Sequence, residues 1–228
     1  FMQCGLIRYS ADAKTQMASQ TFERLLIPRF TNYRELTDDK KTYTQTIQGM
    51  SNDICRNTRI IDDVCKALQD GRSPIILTNL TSHVEILATM LTSKCKNVIT
   101  LVGSESIKEK RSKMECLHNI PKTEPFVIVA TGKYVGEGFD YPRLDTLFLA
   151  LPVSWKGIVA QYAGRLHREY PGKKDVVIYD YIDIHLPLCD TMYKRRLKGY
   201  ATVGYKLSTI NPTNLFHNSP DIIFNGKN

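Results

Sequence analysis

Hydrophobic positions along the chain change period several times, and each change marks an element. From Met50 to Gly71, Ile54, Ile60, Ile61, Val64, Ala67 and Leu68 recur at helical spacing, and Gly71 supplies a C-terminal stop. Beyond it, short unbroken apolar runs alternate with amphipathic stretches. Pro74–Asn79 (PIILTN), Asn97–Val102, Phe126–Ala130 (FVIVA), Thr146–Leu151 (TLFLAL) and Asp175–Tyr181 (DVVIYDY) predict five strands. Ser82–Ser93, with Ser82 as N-cap, Ser106–His118 and Trp155–Arg168 predict the helices between them.

Strands that lack polar alternation are buried on both faces, as parallel sheets require. Strand and helix in regular succession imply right-handed crossovers, so the fold expected is α/β, a doubly wound parallel sheet flanked by helices in three layers. Residues 1–49 are polar and irregular, with a Thr-rich stretch at Thr37–Thr46, and are expected to be a linker or arm. The α/β domain is expected over 50–185, and 186–228 should form a C-terminal helix and a polar tail. That helix carries the basic run Lys194, Arg195, Arg196 and Lys198, which fits a solvated helix end or a nucleic-acid contact.

Composition narrows the class. Hydrophobic residues make up 42% and charged residues 24%, enough apolar material for a packed core. A formal charge of +8 favours a polyanionic partner without requiring one. The cysteines at 4, 55, 65, 95, 116 and 189 have no CxxC or Cys–His spacing, so no metal site is expected, and free thiols in a cytoplasmic setting fit best. No apolar run approaches the roughly 18–20 residues that span a membrane. The chain opens Phe-Met-Gln-Cys-Gly, which reads like the interior of a longer protein.

Two segments carry candidate chemistry. Gln161, Arg165 and Arg168 fall at i, i+4 and i+7, one narrow stripe at about 100° per residue. Trp155, Val159, Tyr162 and Leu166 form a separate apolar stripe that can anchor the helix. By itself the polar stripe equally fits a solvated basic face. The second segment, TGKYVGEGFDYP from Thr131 to Pro142, follows an apolar strand and so lies beyond a strand's carboxyl end, where open parallel sheets hold ligands. Its glycines permit close approach of backbone to a phosphate or a partner, or simply positive φ angles. His167 and Asp180 fit structural roles.

Together these segments resemble motifs V and VI of superfamily 2 helicases. Motif V is matched by VIVATGKYVGEGFDYP, and motif VI by Gln161-x-x-Gly164-Arg165-x-x-Arg168. PIILTN resembles motif IV, and Leu101-Val102-Gly103 followed by Arg111 resembles the strand, glycine and helix that precede motif V. The resemblance covers about 74–183, and it implies a C-terminal RecA-like lobe of a DEAD/DEAH-type helicase. A weaker likeness at IRYS, IPRFTNY and RNTRI points to the linker after the first lobe of bacterial restriction- and repair-type helicases.

The resemblance also implies roles. Arg165 and Arg168 would face ATP bound on the other lobe, with Arg168 as the finger reaching the γ-phosphate and Gln161 positioning phosphates or the attacking water. Asp140 would accept from the ribose hydroxyls, while Glu137 and Gly138 shape the ATP-facing turn. Thr131, Gly103 and Ser104 would contact the nucleic-acid backbone. ATP and Mg2+ would be held mainly by the N-terminal lobe of the same polypeptide, and the strand translocated would be single- or double-stranded, with DNA favoured over RNA.

A phosphate-cradling P-loop needs GxxxxGK followed by Ser or Thr. Gly132-Lys133, Gly172-Lys173 and Gly226-Lys227 are followed by Tyr134, Lys174 and Asn228, so none qualifies. Gly136-x-Gly138 has Tyr at 141 and fails as a dinucleotide fingerprint, which excludes a dinucleotide enzyme on a similar sheet. A nucleic-acid-binding module that kept the fold and lost the motor is the remaining alternative, and it predicts decay of the arginine stripe.

Overall fold

The computed structural model describes residues 22–35, 41–136, 139–153 and 159–208. They form a seven-stranded sheet in the order β3-β4-β2-β5-β6-β1-β7, with every pairing parallel. The strands are β1 (Glu23–Phe30), β2 (Pro74–Thr78), β3 (Asn97–Leu101), β4 (Phe126–Thr131), β5 (Thr146–Leu149), β6 (Asp175–Ile182) and β7 (Lys206–Leu207). The helices are α1 (Tyr43–Asn52), α2 (Ile54–Gln69), α3 (Thr81–Thr92), α4 (Ile107–Asn119), the single turn α5 (Gly132–Gly136), α6 (Ala160–Leu166) and α7 (Pro187–Thr202). The architecture is the three-layer α/β/α fold that the apolar runs imply.

Strand residues alternate between two cores, as a period of two demands. Ile75, Leu77, Phe126, Ile128 and Ala130 face Leu117 of α4, Ala163 and Leu166 of α6 and Tyr200 of α7. Ile76, Val127, Val129 and Phe148 face Ile60, Ile61 and Val64 of α2 and Val84, Leu87 and Leu91 of α3. Burying apolar surface on both sides stabilises the sheet at roughly 25 cal/mol per Å², and it leaves the rim at the strands' carboxyl ends as the place where backbone and polar groups can meet a ligand.

Several boundaries differ from expectation, each for a physical reason. The segment 1–49 contains β1, which pairs with β6 along its whole length, from Glu23 opposite Asp175 to Phe30 opposite Ile182. Pro28 argues against a central strand because it cannot donate to a ladder. Here β7 pairs only with Leu25 and Leu26, so beyond Leu26 the outer side of β1 is an edge and Pro28 costs no bond there. The Thr-rich stretch holds α1, opened by a capping box in which Thr42 accepts from the Gln45 N–H and the Gln45 side chain accepts from the Thr42 N–H. The single helix expected from Met50 to Gly71 is broken at Asp53, which caps α2 by accepting from the Arg56 N–H at 2.6 Å. Ile54, placed on the apolar stripe, is 77% exposed, and the buried face begins instead with Arg56 and Asn57. Ser82 is not an N-cap; α3 starts at Thr81, with Leu80 at the cap. Ser106 caps α4 through a second capping box, with Glu109.

Three buried polar sites lock the rim. Arg56 of α2 donates to both carboxylate oxygens of Asp183, at 3.0 and 3.2 Å, and to the Ala150 carbonyl at the end of β5. Thr31, just past β1, donates to the same carboxylate. His83 lies between Thr78 at 2.8 Å and Asn57 at 2.9 Å, and burial, followed by the Arg56 charge, pushes its pKa down to about 3. The Asn57 amide donates to the Ser51 carbonyl, so its oxygen faces the imidazole. Neutral His83 therefore donates from Nε2 and accepts from Thr78 at Nδ1.

The third site corrects the reading of the basic run. Lys194, Arg195 and Lys198 are exposed at the surface, but Arg196 is 1% exposed. Its guanidinium forks onto Asp180 of β6 at 2.8 and 2.9 Å and donates to the Val153 carbonyl at 2.9 Å, and Tyr200 donates to Asp180 at 3.0 Å. Asp180 is thus structural, with both oxygens satisfied. Removing one member of a buried pair leaves the other charged and unpaired, at a cost of about 3–5 kcal/mol. Urea denaturation should show that loss for Arg196→Met, and most of it should return in Arg196→Met/Asp180→Leu. A loss below about 1 kcal/mol in the single variant would contradict the pairing.

Candidate functional site

Helix α6 presents the stripe read from the sequence. Val159, Tyr162, Ala163 and Leu166 are buried, while Gln161, Gly164 and Arg168 are exposed and Arg165 is half-buried. Trp155, the first member of the apolar stripe, lies outside the described residues. Asp140, Gln161, Gly164, Arg165 and Arg168 together line one open depression of ≈ 420 Å³. A Cβ at Gly164 would meet nothing within 4 Å. Among the described residues the absence of a side chain there relieves no crowding; it keeps the floor of the depression low.

Asp140 reaches the depression because its neighbours cannot. Phe139 and Tyr141 are buried, and the Tyr141 hydroxyl donates to the Leu117 carbonyl of α4 at 3.3 Å, so the residue between them turns outward. Arg143 tightens the same loop by donating to the carbonyls of Pro121, Lys122 and Glu124. The Asp140 carboxylate sits 3.5 Å from the Arg168 guanidinium, both groups largely exposed. A pair of this kind is worth at most about 1 kcal/mol, so Arg168 can leave it for a more highly charged oxygen at little cost. Glu137 and Gly138 lie outside the described residues.

Lys173, set aside in the sequence because no P-loop follows Gly172, has a part here. Its ammonium donates to the carbonyls of Leu166 at 2.9 Å, Arg168 at 2.6 Å and Pro142 at 2.7 Å. It satisfies carbonyls left over at the end of α6 and ties the arginine helix to the loop carrying Asp140. Burial pulls its pKa down to about 8. A basic residue five positions past a helical arginine stripe is too common a pattern to have revealed this.

A second cluster lies at the carboxyl ends of β3 and β4. The Thr131 hydroxyl accepts from the Gly103 N–H at 3.2 Å, so two of the three residues expected to meet nucleic acid touch each other. That bond changes their parts. The Gly103 amide is already engaged, whereas the Thr131 hydroxyl keeps its own proton to donate. Ser104 is exposed next to them, and the aliphatic stem of Lys133 passes over Gly103, where a Cβ would come within 3.2 Å of it. Among the described residues no group of three or more His, Cys, Asp or Glu is placed to hold a metal ion, and no helix is long and apolar enough to cross a membrane.

No family model matches the chain. It is 26% identical over 149 residues to transcript termination protein A18 of Fowlpox virus (strain NVSL), covering 64% of this chain and 31% of that protein. It is 33% identical over 91 residues to the uncharacterized protein 108L of Invertebrate iridescent virus 3, covering 39% of this chain and 81% of 108L. The chain thus spans about a third of the A18 proteins' length. Among solved structures, T4 UvsW matches with a TM-score of 0.64 at 23% identity, over 84% of this chain and 42% of that one. The C-terminal part of the Fun30 ATPase domain matches with a TM-score of 0.51 at 16% identity, over 67% of this chain and 47% of that one.

His167, expected to be structural, closes α6 on the side away from the depression. Its Nε2 lies 3.1 Å from the Tyr205 hydroxyl, and its ring stacks on that tyrosine. Burial, with Arg24 and Lys173 adding repulsion, pushes its pKa down to about 4. The unfolded chain, with an ordinary value near 6.5, takes up this proton first. The stability His167 contributes is therefore complete above about pH 6.5 and is lost as the pH falls towards 4. His83 acts in the same direction. Unfolding free energy measured across that range should fall with acid, and less steeply in His167→Phe; an unchanged slope would contradict a neutral, buried His167.

Proposed function

We propose that this chain, which belongs to one family with protein 108L and has the fold of a superfamily 2 helicase C-terminal lobe, is half of an ATP-driven nucleic-acid motor. The observation that carries the reading is the meeting of Gln161, Arg165, Arg168 and Asp140 around the bare floor at Gly164. Two guanidiniums, an amide and a carboxylate on one anchored helix and one pinned loop suit a nucleoside triphosphate presented from outside. The guanidiniums complement phosphate oxygens, and the carboxylate complements ribose hydroxyls.

In this mechanism ATP is held mainly by a lobe that precedes this one in the same polypeptide. Closure brings the depression of α6 against the phosphates. Arg168 exchanges the Asp140 carboxylate for the γ-phosphate, and its planar, permanently charged fork offsets the charge that develops as the terminal phosphoryl group leaves. Its release frees Asp140 to accept from the ribose. Arg165, half-buried, holds a fixed position beside it, and Gln161 orients the phosphates or the attacking water. Magnesium, carried by the other lobe, would neutralise phosphate charge. Closing over ATP and reopening after hydrolysis moves the two lobes relative to each other.

The nucleic-acid strand is read as crossing the ends of β3 and β4. Thr131 donates its hydroxyl proton to a phosphate, Ser104 offers a hydroxyl beside it, and Lys133 adds charge. Gly103 acts by positioning Thr131 rather than by offering its amide. Contacts to the backbone position a strand without reading its sequence. DNA remains the favoured strand, and likeness to proteins named for transcript termination makes RNA a necessary comparison. The alternative, a module that kept the fold and lost the motor, leaves the intact stripe of Gln161, Arg165 and Arg168 unexplained.

In the intact protein, Arg168→Ala should lower ATP turnover by about 10³-fold or more, the range for arginine fingers, while ATP binding weakens far less. Steady-state turnover and equilibrium nucleotide binding separate the two effects. A fall of less than about tenfold would remove Arg168 from the role and pass it to Arg165.

A further inference from the structure

We propose that Tyr162 is a positioning residue that couples the arginine helix to the nucleic-acid-facing cluster, through its hydroxyl on the Gly132 carbonyl. This rests on the motor reading above and names a physical link within it. Tyr162 stands next to Gln161 and one turn before Arg165 and Leu166, on the buried side of α6. Its hydroxyl donates to the carbonyl of Gly132, the residue that follows Thr131. Thr131 in turn accepts from the Gly103 N–H at 3.2 Å. Two hydrogen bonds and the short covalent path from the Gly132 carbonyl back to the Thr131 side chain therefore connect the helix that carries the ATP-facing arginines to both residues of the β3–β4 rim.

The contact is tighter than packing alone requires. A Cβ on Gly132 would lie 2.5 Å from the Tyr162 hydroxyl oxygen, a separation that atoms do not tolerate. Positive φ, the other reason for a glycine here, does not apply: Gly132 opens the α5 turn and is not among the positive-φ glycines Gly71, Gly172 and Gly204. The glycine at 132 is thus explained by the tyrosine at 162. Without the hydroxyl, the nearest atom to that Cβ would be Cζ at 3.5 Å, an ordinary contact. Burial also pushes the Tyr162 phenol up to about 12, which keeps its proton available for donation across the physiological range.

A rigid link of this kind has a mechanical consequence. When α6 shifts on closure over ATP, the Gly132 carbonyl must follow or the bond must break. That carbonyl lies in the Gly132–Lys133 peptide, so the shift passes through the Gly132 Cα and the Thr131–Gly132 peptide to the threonine side chain. Packing in the shared apolar cluster keeps the ring of Tyr162 in place with or without the hydroxyl, so the fold does not need the oxygen.

The test uses the intact protein and Tyr162→Phe, with ATP turnover measured with and without a saturating single-stranded oligonucleotide. Turnover without oligonucleotide should stay within about twofold of wild type, and oligonucleotide affinity should be unchanged. Stimulation of kcat by the oligonucleotide should fall by about three- to tenfold, the factor that one neutral hydrogen bond supplies. Gly132→Ala should lower the thermal midpoint in the wild-type background and do so far less on top of Tyr162→Phe, which verifies the steric pairing independently of activity. Full stimulation in Tyr162→Phe would overturn the coupling role, as would equal loss with and without oligonucleotide. A wild-type protein whose turnover ignores nucleic acid would sink the motor reading itself, and this inference with it.

Discussion

A parallel sheet covered on both faces can show its chemistry only along its rim, and the rest of this molecule follows from that constraint. β2 and β4 are buried at every position, so neither offers a free face and only their carboxyl ends, where Thr131 is 7% exposed, approach the surface. What the strands can do is end in the same plane, and the residues at or just past those ends are the ones that matter: Thr131, the last residue of β4, the Gly103 turn after β3 and Asp183 after β6. The rim is stiffened by two buried ion pairs, Arg56–Asp183 and Arg196–Asp180. All four carboxylate oxygens accept hydrogen bonds, and the pairs tie α2 to the residue just past β6 and α7 to β6 itself. Buried pairs of this kind add little net stability compared with apolar packing; what they fix is register. Asp180 is opposite both Pro28 and Leu149 in the ladder, so the Arg196 fork sets α7 against three strands at once.

On that rigid base, the exposed groups are held by neighbours that have no free choice. Asp140 faces outward because Phe139 and Tyr141 face inward. Arg165 and Arg168 face outward because Tyr162, Ala163 and Leu166 are committed to the core. Lys173 then joins the two supports through three carbonyls. The Arg168–Asp140 pair in the depression is long and exposed, while the elements beneath it are strongly bonded. That combination suits groups that must exchange partners without moving their backbone.

The central strands, the two-sided burial and the outward stripe of α6 were legible because they depend on local periodicity. What was not legible depends on partners far away in sequence. β1 carries a proline and little alternation, and it becomes a strand only because β6, some 150 residues later, offers a ladder on one side while the other side is largely an edge. Arg196 looked like one of four surface cations; its burial is decided by Asp180, which was itself read as structural for other reasons. The capping box at Thr42 and Gln45 could have been found in the Thr-rich stretch, since its spacing is local. Lys173 and the pairing of Tyr162 with Gly132 could not, because nothing in spacing says which carbonyl a buried donor will meet.

The proposed ATP site is composite, with this chain contributing arginines and a carboxylate but no phosphate cradle. That division is tested most directly by measuring ATP turnover of the purified 228-residue chain, with and without nucleic acid, beside that of the intact protein. Turnover should be absent from the chain by itself and present in the intact protein, lost there on Arg168→Ala. Robust turnover by the 228 residues alone, abolished by the same substitution, would contradict a shared site and place the whole catalytic apparatus within this lobe.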